Sequence, residues 1–374
     1  MKIFLHIGLH KTGTTFLQHH VFPKLDKNIC LYNPIEILSL VRHSLILQDM
    51  GELNKHDIIR LKKTIVTLLR NVHTPILLLS DELLSQSMYD LNYSQHAELL
   101  SNLFPNAEII LFLRFQTTWL KSVYRQALQM GDVLAVKDFF RLDRDKILSD
   151  DNPKIDIYNN RITIDPFNLD LTDMVKTYQV KFGKEKTHIY FYENLKKNKD
   201  NCIKMLCKNI GLKPPNLTFN KSINRSYSAL SCILTLKLYQ VADVIDIRFL
   251  LQDTRVFYKY IVKKIRHTSF PLNSEITLLK ISDDFLNWHL VKNTLTKKQI
   301  VKVFFKKTFR RTRFFSLWRF LMQNILDKVV YIDWDIFERD NIKEIFDQHF
   351  YAQNKQLSLL LSPKELPREY VKQK

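Results

Sequence analysis

Two glycines five residues apart, Gly8 and Gly13, enclose a lysine and precede two hydroxyls in the segment His6-Ile-Gly-Leu-His-Lys-Thr-Gly-Thr-Thr-Phe-Leu-Gln18. The chain holds only six glycines in 374 residues, where roughly 7 % is usual. Two of them in one short loop point to a backbone requirement there. Such a turn between a strand and a helix presents backbone N–H groups to an anion, and a helix beginning near Thr14 adds its positive end. Lys11 inside the loop and the hydroxyls of Thr12, Thr14 and Thr15 complete a set suited to a phosphate-like group. The spacing Gly8-x4-Gly13 is that of a P-loop, but Thr14 stands where a nucleoside triphosphatase places its lysine. The loop is therefore not a standard ATP or GTP site.

The elements that must hold this loop are legible as short apolar runs. Lys2–Ile7 ends at Gly8, Pro75–Ser80 at Asp81-Glu82, Ala107–Leu113 at Arg114, and Thr187–Tyr192 at Glu193-Asn194. Continuous runs of this kind suit buried parallel strands. Segments of helical period lie between them, at Asp57–Asn71, Gln95–Phe104 and Thr118–Met130. Strands alternating with helices predict an α/β fold, a P-loop-like parallel sheet flanked by helices. Ligands bind at the carboxyl ends of the strands in such sheets, which is where Gly8–Thr15, Asp81-Glu82 and Arg114 fall. After about Asn220 the pattern turns helical, with basic and aromatic residues mixed. The expected organisation is an α/β core over 1–225, a helical basic region over 226–340, and a closing helix and tail over 341–374 that pack back on the core.

Composition narrows the class further. The chain is 45 % hydrophobic and 25 % charged, which excludes intrinsic disorder. No window reaches 18 consecutive apolar residues, so no transmembrane helix is expected, and the opening Met1–Leu9 lacks a signal-peptide cleavage site. Cys30, Cys202, Cys207 and Cys232 have neither metal spacing nor a dense disulfide pattern, which predicts free thiols in a reducing cytosol. His19 and His20 adjoin on a helix and face different ways, so they are not read as a metal pair. Of the net charge of +19, almost half comes from Lys297–Phe320, with nine Lys or Arg, no acid and seven aromatics. That stretch could line a groove for an acidic glycan or lie on an anionic membrane surface. The plain alternative is a helix pair whose solvated side is basic. Nothing else in the chain supports nucleic-acid binding.

Gly8-x-x-Lys11-Thr-Gly-Thr-Thr15 behind an N-terminal strand resembles the 5′-phosphosulfate loop of sulfotransferases that use 3′-phosphoadenylyl sulfate (PAPS). A second block, Ile109-Ile-Leu-Phe-Leu-Arg114 followed by Trp119-Leu-Lys-Ser122-Val-Tyr-Arg-Gln126, resembles the 3′-phosphate motif of that family. Leu79-Ser80-Asp81-Glu82, Tyr190-Phe-Tyr-Glu193-Asn-Leu195 and Phe350-Tyr-Ala-Gln-Asn354-Lys-Gln-Leu357 are weaker echoes, the last like the closing helix of bacterial members. The resemblance covers about residues 1–225 and 341–361. It implies PAPS as donor with no metal, and transfer of a sulfuryl group to an alcohol or amine. By it, Gly8, Lys11, Thr12, Gly13, Thr14 and Thr15 hold the 5′-phosphate, Lys11 meets the bridging oxygen as the phosphate departs, and Arg114 and Ser122 grip the 3′-phosphate. An acceptor hydroxyl needs a general base, for which Glu82 is the first choice and His10 the second. Glu82 or Asp81 could equally serve as a helix cap. Glu193 is expected to cap the helix that follows it.

The leading expectation is thus a cytosolic sulfotransferase acting on a carbohydrate or cell-surface glycan, with peripheral contact at the inner membrane surface through 297–320 as a further expectation. A P-loop ATP-dependent kinase is the alternative enzyme, distinguished by a Mg2+ requirement. A basic scaffold that binds polyanions or membranes is the alternative without catalysis.

Overall fold

The computed structural model describes residues 1–49, 51–85, 91–129, 135–142, 164–217, 227–245, 314–332, 335–337 and 341–371. Its residues fall into two compact units. The first comprises Met1–Leu120, Pro166–Ile223 and Asn341–Lys374, and the second Lys121–Asp165 and Asn224–Asp340.

The first unit is built on a five-stranded sheet, β1 (Lys2–His6), β2 (Cys30–Tyr32), β3 (Ile76–Ser80), β4 (Glu108–Leu113) and β5 (Thr187–Phe191), in the order β2-β3-β1-β4-β5. Every pairing is parallel. Leu77, Leu78 and Leu79 of β3 and Leu111, Phe112 and Leu113 of β4 are wholly buried, as unbroken apolar runs in a sheet covered on both faces must be. The chain fills one side of β1 with β3 and β2 before it crosses to β4 and β5. A crevice outside the carboxyl end of β1 follows from that reversal. The register sets His6 opposite Ser80 and Ile110, so β1 and β3 end at one level while β4 runs three residues further, to Leu113.

The first helical turn, α1 (Thr14–Phe16), begins directly after the loop, with Phe16 N and Leu17 N both returning to the Gly13 carbonyl. Four longer helices follow in this part of the chain, α2 (Ile35–Asp49), α3 (Lys55–Arg70), α4 (Tyr93–Leu103) and α5 (Gln116–Gln129). The three expected helical segments match α3, α4 and α5 to within a few residues. An Asn54–Asp57 capping box starts α3: each side chain accepts from the other residue's backbone N–H. The expectation lacked α2 and β2. Three residues are too few to show alternation, and α2 carries apolar residues on several faces instead of one stripe.

The closing helix, Ile342–Leu361, buries Phe346, Phe350, Asn354, Leu357 and Leu361 along one stripe. The one polar member, Asn354, exchanges hydrogen bonds with Gln116 (2.9 and 3.3 Å) and donates to the Tyr370 carbonyl at 3.2 Å. Thr117 donates to Asp347 at 2.6 Å. Both contacts tie this helix to the first turn of α5, and buried amides matched in this way avoid the penalty of unpaired polar groups.

In the second unit, helix Ala229–Val244 starts against the buried Asp327, whose carboxylate accepts from Ser228 N at 3.1 Å and Ser231 Oγ at 2.6 Å. Tyr124, Phe139, Phe140 and Phe337 form an aromatic cluster with edge-on contacts. Residues 297–313 of the basic segment lie outside the described residues; Phe314–Phe320 is helical. Among the described residues no helix is long and apolar enough to cross a membrane.

Candidate functional site

The loop leaving β1 is shaped by close packing at both glycines. A Cβ on Gly8 would lie 2.7 Å from Thr14 Cγ2, 3.0 Å from Thr12 Oγ1 and 3.2 Å from His6 Nε2. Gly13 has φ +86°, and a Cβ there would meet Leu195 Cδ2 at 2.9 Å. Between them Lys11 also adopts a left-handed backbone, φ +67°, which costs a residue with a side chain roughly 1–2 kcal/mol. Neighbouring groups must hold it there. Arg114 Nη1 donates to the Lys11 carbonyl at 2.8 Å, and Trp119 Nε1 donates to the His10 carbonyl at 2.6 Å. Arg114 is itself fixed by Nε donating to Thr118 Oγ1 at 3.2 Å and by stacking 4.5 Å above the Tyr192 ring.

The end of β3 divides its two carboxylates between two tasks. Asp81 caps the turn Glu82–Leu84 by accepting from Leu83 N at 2.9 Å, and it pairs with Arg42 at 3.3 Å. Glu82 turns toward the loop. One carboxylate oxygen meets His10 Nδ1 at 2.7 Å, and the other accepts from the Thr14 hydroxyl. Burial pushes the Glu82 carboxyl upward, but the hydrogen bond and charge of His10, the Thr14 hydroxyl and the Lys11 charge outweigh it and hold the group below its ordinary value. An ionised carboxylate only accepts, so His10 Nδ1 carries the hydrogen of this contact.

This depressed carboxyl has a consequence for stability. A group favoured in its ionised form by folding adds stability that is present above the ordinary carboxylate range and lost as pH falls through the lowered folded value. Glu82→Gln is therefore expected to lower the melting temperature at pH 7, by a margin that shrinks as both proteins are acidified from pH 6 to pH 3. A margin independent of pH in paired thermal melts would remove the electrostatic origin of the contact.

Beneath the loop, His6 is fully buried between Phe22 and Phe112, with Nδ1 2.6 Å from Ser80 Oγ. Burial drives it down to about 3, with the Glu82 charge acting the other way, so this imidazole stays neutral and serves as floor. The Thr12 hydroxyl is buried and donates to the Leu9 carbonyl at 2.5 Å. In this structure the side chains of Thr12 and Thr14 thus brace the loop, where the sequence reading gave both residues to the 5′-phosphate. Glu193 also differs from its expected cap: one oxygen accepts from Phe115 N at 3.0 Å, at the entrance to α5. Burial raises its carboxyl, against the lowering effect of that amide and of Arg114.

Gly8, His10, Lys11, Thr12, Gly13, Thr14, Glu82 and Arg114 are brought together by these contacts. Ser122 is buried on α5 within the second unit. Thr118, Trp119 and Tyr192 support the site but were not singled out from sequence. A spacing of four residues from Arg114 to Thr118 on a helix start was the available signal. All four cysteines are free and buried. Among the described residues no group of three His, Cys, Asp or Glu side chains gathers as a metal site would require.

No protein-family model matches the chain, and no curated protein does. Among solved structures, it is similar to a sulfotransferase from Alicyclobacillus acidocaldarius, at 16 % identity over 67 % of this chain and 95 % of that one, with a TM-score of 0.36. The sulfotransferase domain from the curacin biosynthetic pathway matches at 12 % identity over 59 % of this chain and 75 % of that one, with a TM-score of 0.28. For the sulfotransferase domain from the Synechococcus PCC 7002 olefin synthase the figures are 16 %, 57 %, 73 % and 0.27.

Proposed function

We propose that this chain is a sulfotransferase that moves a sulfuryl group from PAPS to an acceptor hydroxyl. One observation carries the reading: a loop closed by two sterically required glycines holds Lys11 in a fixed backbone state beside the bonded pair Glu82 and His10. A cation, an anion cradle and a proton acceptor therefore share one strand edge. The tight packing at Gly8 and Gly13 lets the loop turn closely on Thr14 and Leu195, a turn that a side chain at either position would obstruct.

In this reading the loop from Gly8 to Thr15 holds the 5′-phosphate of the donor, mainly through backbone N–H groups, and Lys11 neutralises the charge that develops on the departing bridging oxygen. Arg114 and Ser122 hold the 3′-phosphate. The acceptor oxygen forms its bond to sulfur as the sulfur–oxygen bond to the phosphate breaks, and the hydroxyl proton passes to the protein. Glu82 is already engaged twice and is held as a weak base, so His10 takes this proton while Glu82 orients its ring. That inverts the order of preference drawn from sequence. We assign the acceptor to carbohydrates, such as a cell-surface glycan, on the family resemblance and the basic segment 297–320. The test is transfer of label from sulfur-35 PAPS to a panel of bacterial polysaccharides and oligosaccharides, with the Lys11→Ala variant alongside. Label in a glycan product that depends on Lys11 supports the assignment. Label confined to amine or phenol acceptors would overturn the glycan assignment, and none in any acceptor would count against transfer.

A further inference from the structure

Arg114 and Trp119 reach the loop from the β4–α5 side and take two successive carbonyls, those of Lys11 and His10. In a trans peptide the C=O and the following N–H point in opposite directions. Anchoring those two carbonyls on α5 and its approach therefore aims the N–H groups of Lys11 and Thr12 the other way. Consecutive amides turned to one side, next to a residue in the left-handed region, make an anion-binding concavity. Lys11 at φ +67° is the left-handed member here.

We propose that Arg114 and Trp119 are positioning residues that build the 5′-phosphate cradle by holding the Lys11 and His10 peptides, a role for Arg114 separate from any contact with a 3′-phosphate. This rests on the donor reading above for its ligand, but its structural half does not. The arrangement predicts that Arg114 matters even to a nucleotide with no 3′-phosphate. Thr118 and Tyr192 set the guanidinium from its other sides, which keeps Nη1 on the Lys11 carbonyl.

Two measurements test the proposal on the full chain. The first is hydrogen exchange without nucleotide, comparing the parent with Arg114→Ala and with Trp119→Phe, which keeps an aromatic ring and removes the donor. Amides of residues 9–16 are expected to exchange about tenfold faster in each variant, while β3 and β4 keep their protection. Unchanged exchange in the loop would overturn the proposal whether or not any nucleotide binds.

The second is calorimetric affinity for adenosine 5′-monophosphate and adenosine 3′,5′-bisphosphate. Both variants should weaken the monophosphate about tenfold, and Arg114→Ala should weaken the bisphosphate further. If Arg114→Ala affected only the bisphosphate, the cradle role would be wrong and a simple 3′-phosphate contact would remain. A parent that bound neither nucleotide would end the donor reading, and the exchange result alone would then decide the positioning claim. Trp119→Phe guards against a folding failure of Arg114→Ala, since it keeps an aromatic ring at the buried site and removes the hydrogen bond with only part of the indole volume.

Discussion

Lys11→Ala is expected to reduce sulfuryl transfer by about 10²- to 10³-fold while leaving the melting temperature close to that of the parent. The expected loss is that of a charge placed where negative charge develops during the reaction, a contribution larger in the transition state than in the bound donor. Lys11 is partly exposed and its backbone is held through its carbonyl, which alanine retains. The fold should therefore survive, and affinity for the nucleotide product should fall much less than turnover. Lys11→Arg keeps the charge but changes its shape, so partial recovery is expected. Turnover of Lys11→Ala within a few-fold of the parent would show that this lysine does not stabilise the leaving group.

Gly13→Ala carries the largest expected cost to stability. Its φ of +86° alone costs an alanine roughly 1–2 kcal/mol, and the added methyl would press on Leu195 at 2.9 Å. Leu195 is buried in the core with Phe112, Tyr190 and Leu206, so it cannot swing away freely. Overpacking of this kind typically costs a further 1–3 kcal/mol, for a total of about 2–5 kcal/mol. Gly211→Ala supplies the control: its left-handed backbone, φ +82° and ψ 27°, matches that of Gly13, but nothing lies within 4 Å of the added methyl. Denaturant unfolding should show Gly13→Ala as clearly the less stable of the two. Equal losses would mean that Leu195 yields at little cost and that the loop is less tightly packed than its geometry implies.

Much of this architecture was legible before any coordinates. The strands β1, β3, β4 and β5 announce themselves because parallel strands buried on both faces read as unbroken apolar runs. The same reasoning fails for β2, where Cys30–Tyr32 is too short to carry a pattern. It fails for α2 because Ile35, Leu40 and Leu47 lie off the buried stripe of Ile37, Val41 and Leu45 and blur its period. At the site, the loop was readable because a glycine-poor chain places two glycines there. The sharing of work between neighbours was not. Asp81 and Glu82 are alike in sequence, and only the turn after β3 shows that Asp81 caps while Glu82 faces His10. Likewise, three threonines in a loop suggest three hydroxyl ligands, yet Thr12 and Thr14 spend their hydroxyls on Leu9 and Glu82. His10 and Thr14 lie 72 and 68 residues from Glu82, and spacing along the chain does not encode such partners.

The central claim is that the loop after β1 receives the nucleotide of a phosphosulfate donor. Calorimetric binding of adenosine 3′,5′-bisphosphate without added metal, set against ADP with Mg2+, tests it most directly. Micromolar binding of the bisphosphate and little of ADP is the expected result. Preference for Mg-ADP would contradict it and point to phosphoryl transfer at the same strand edge.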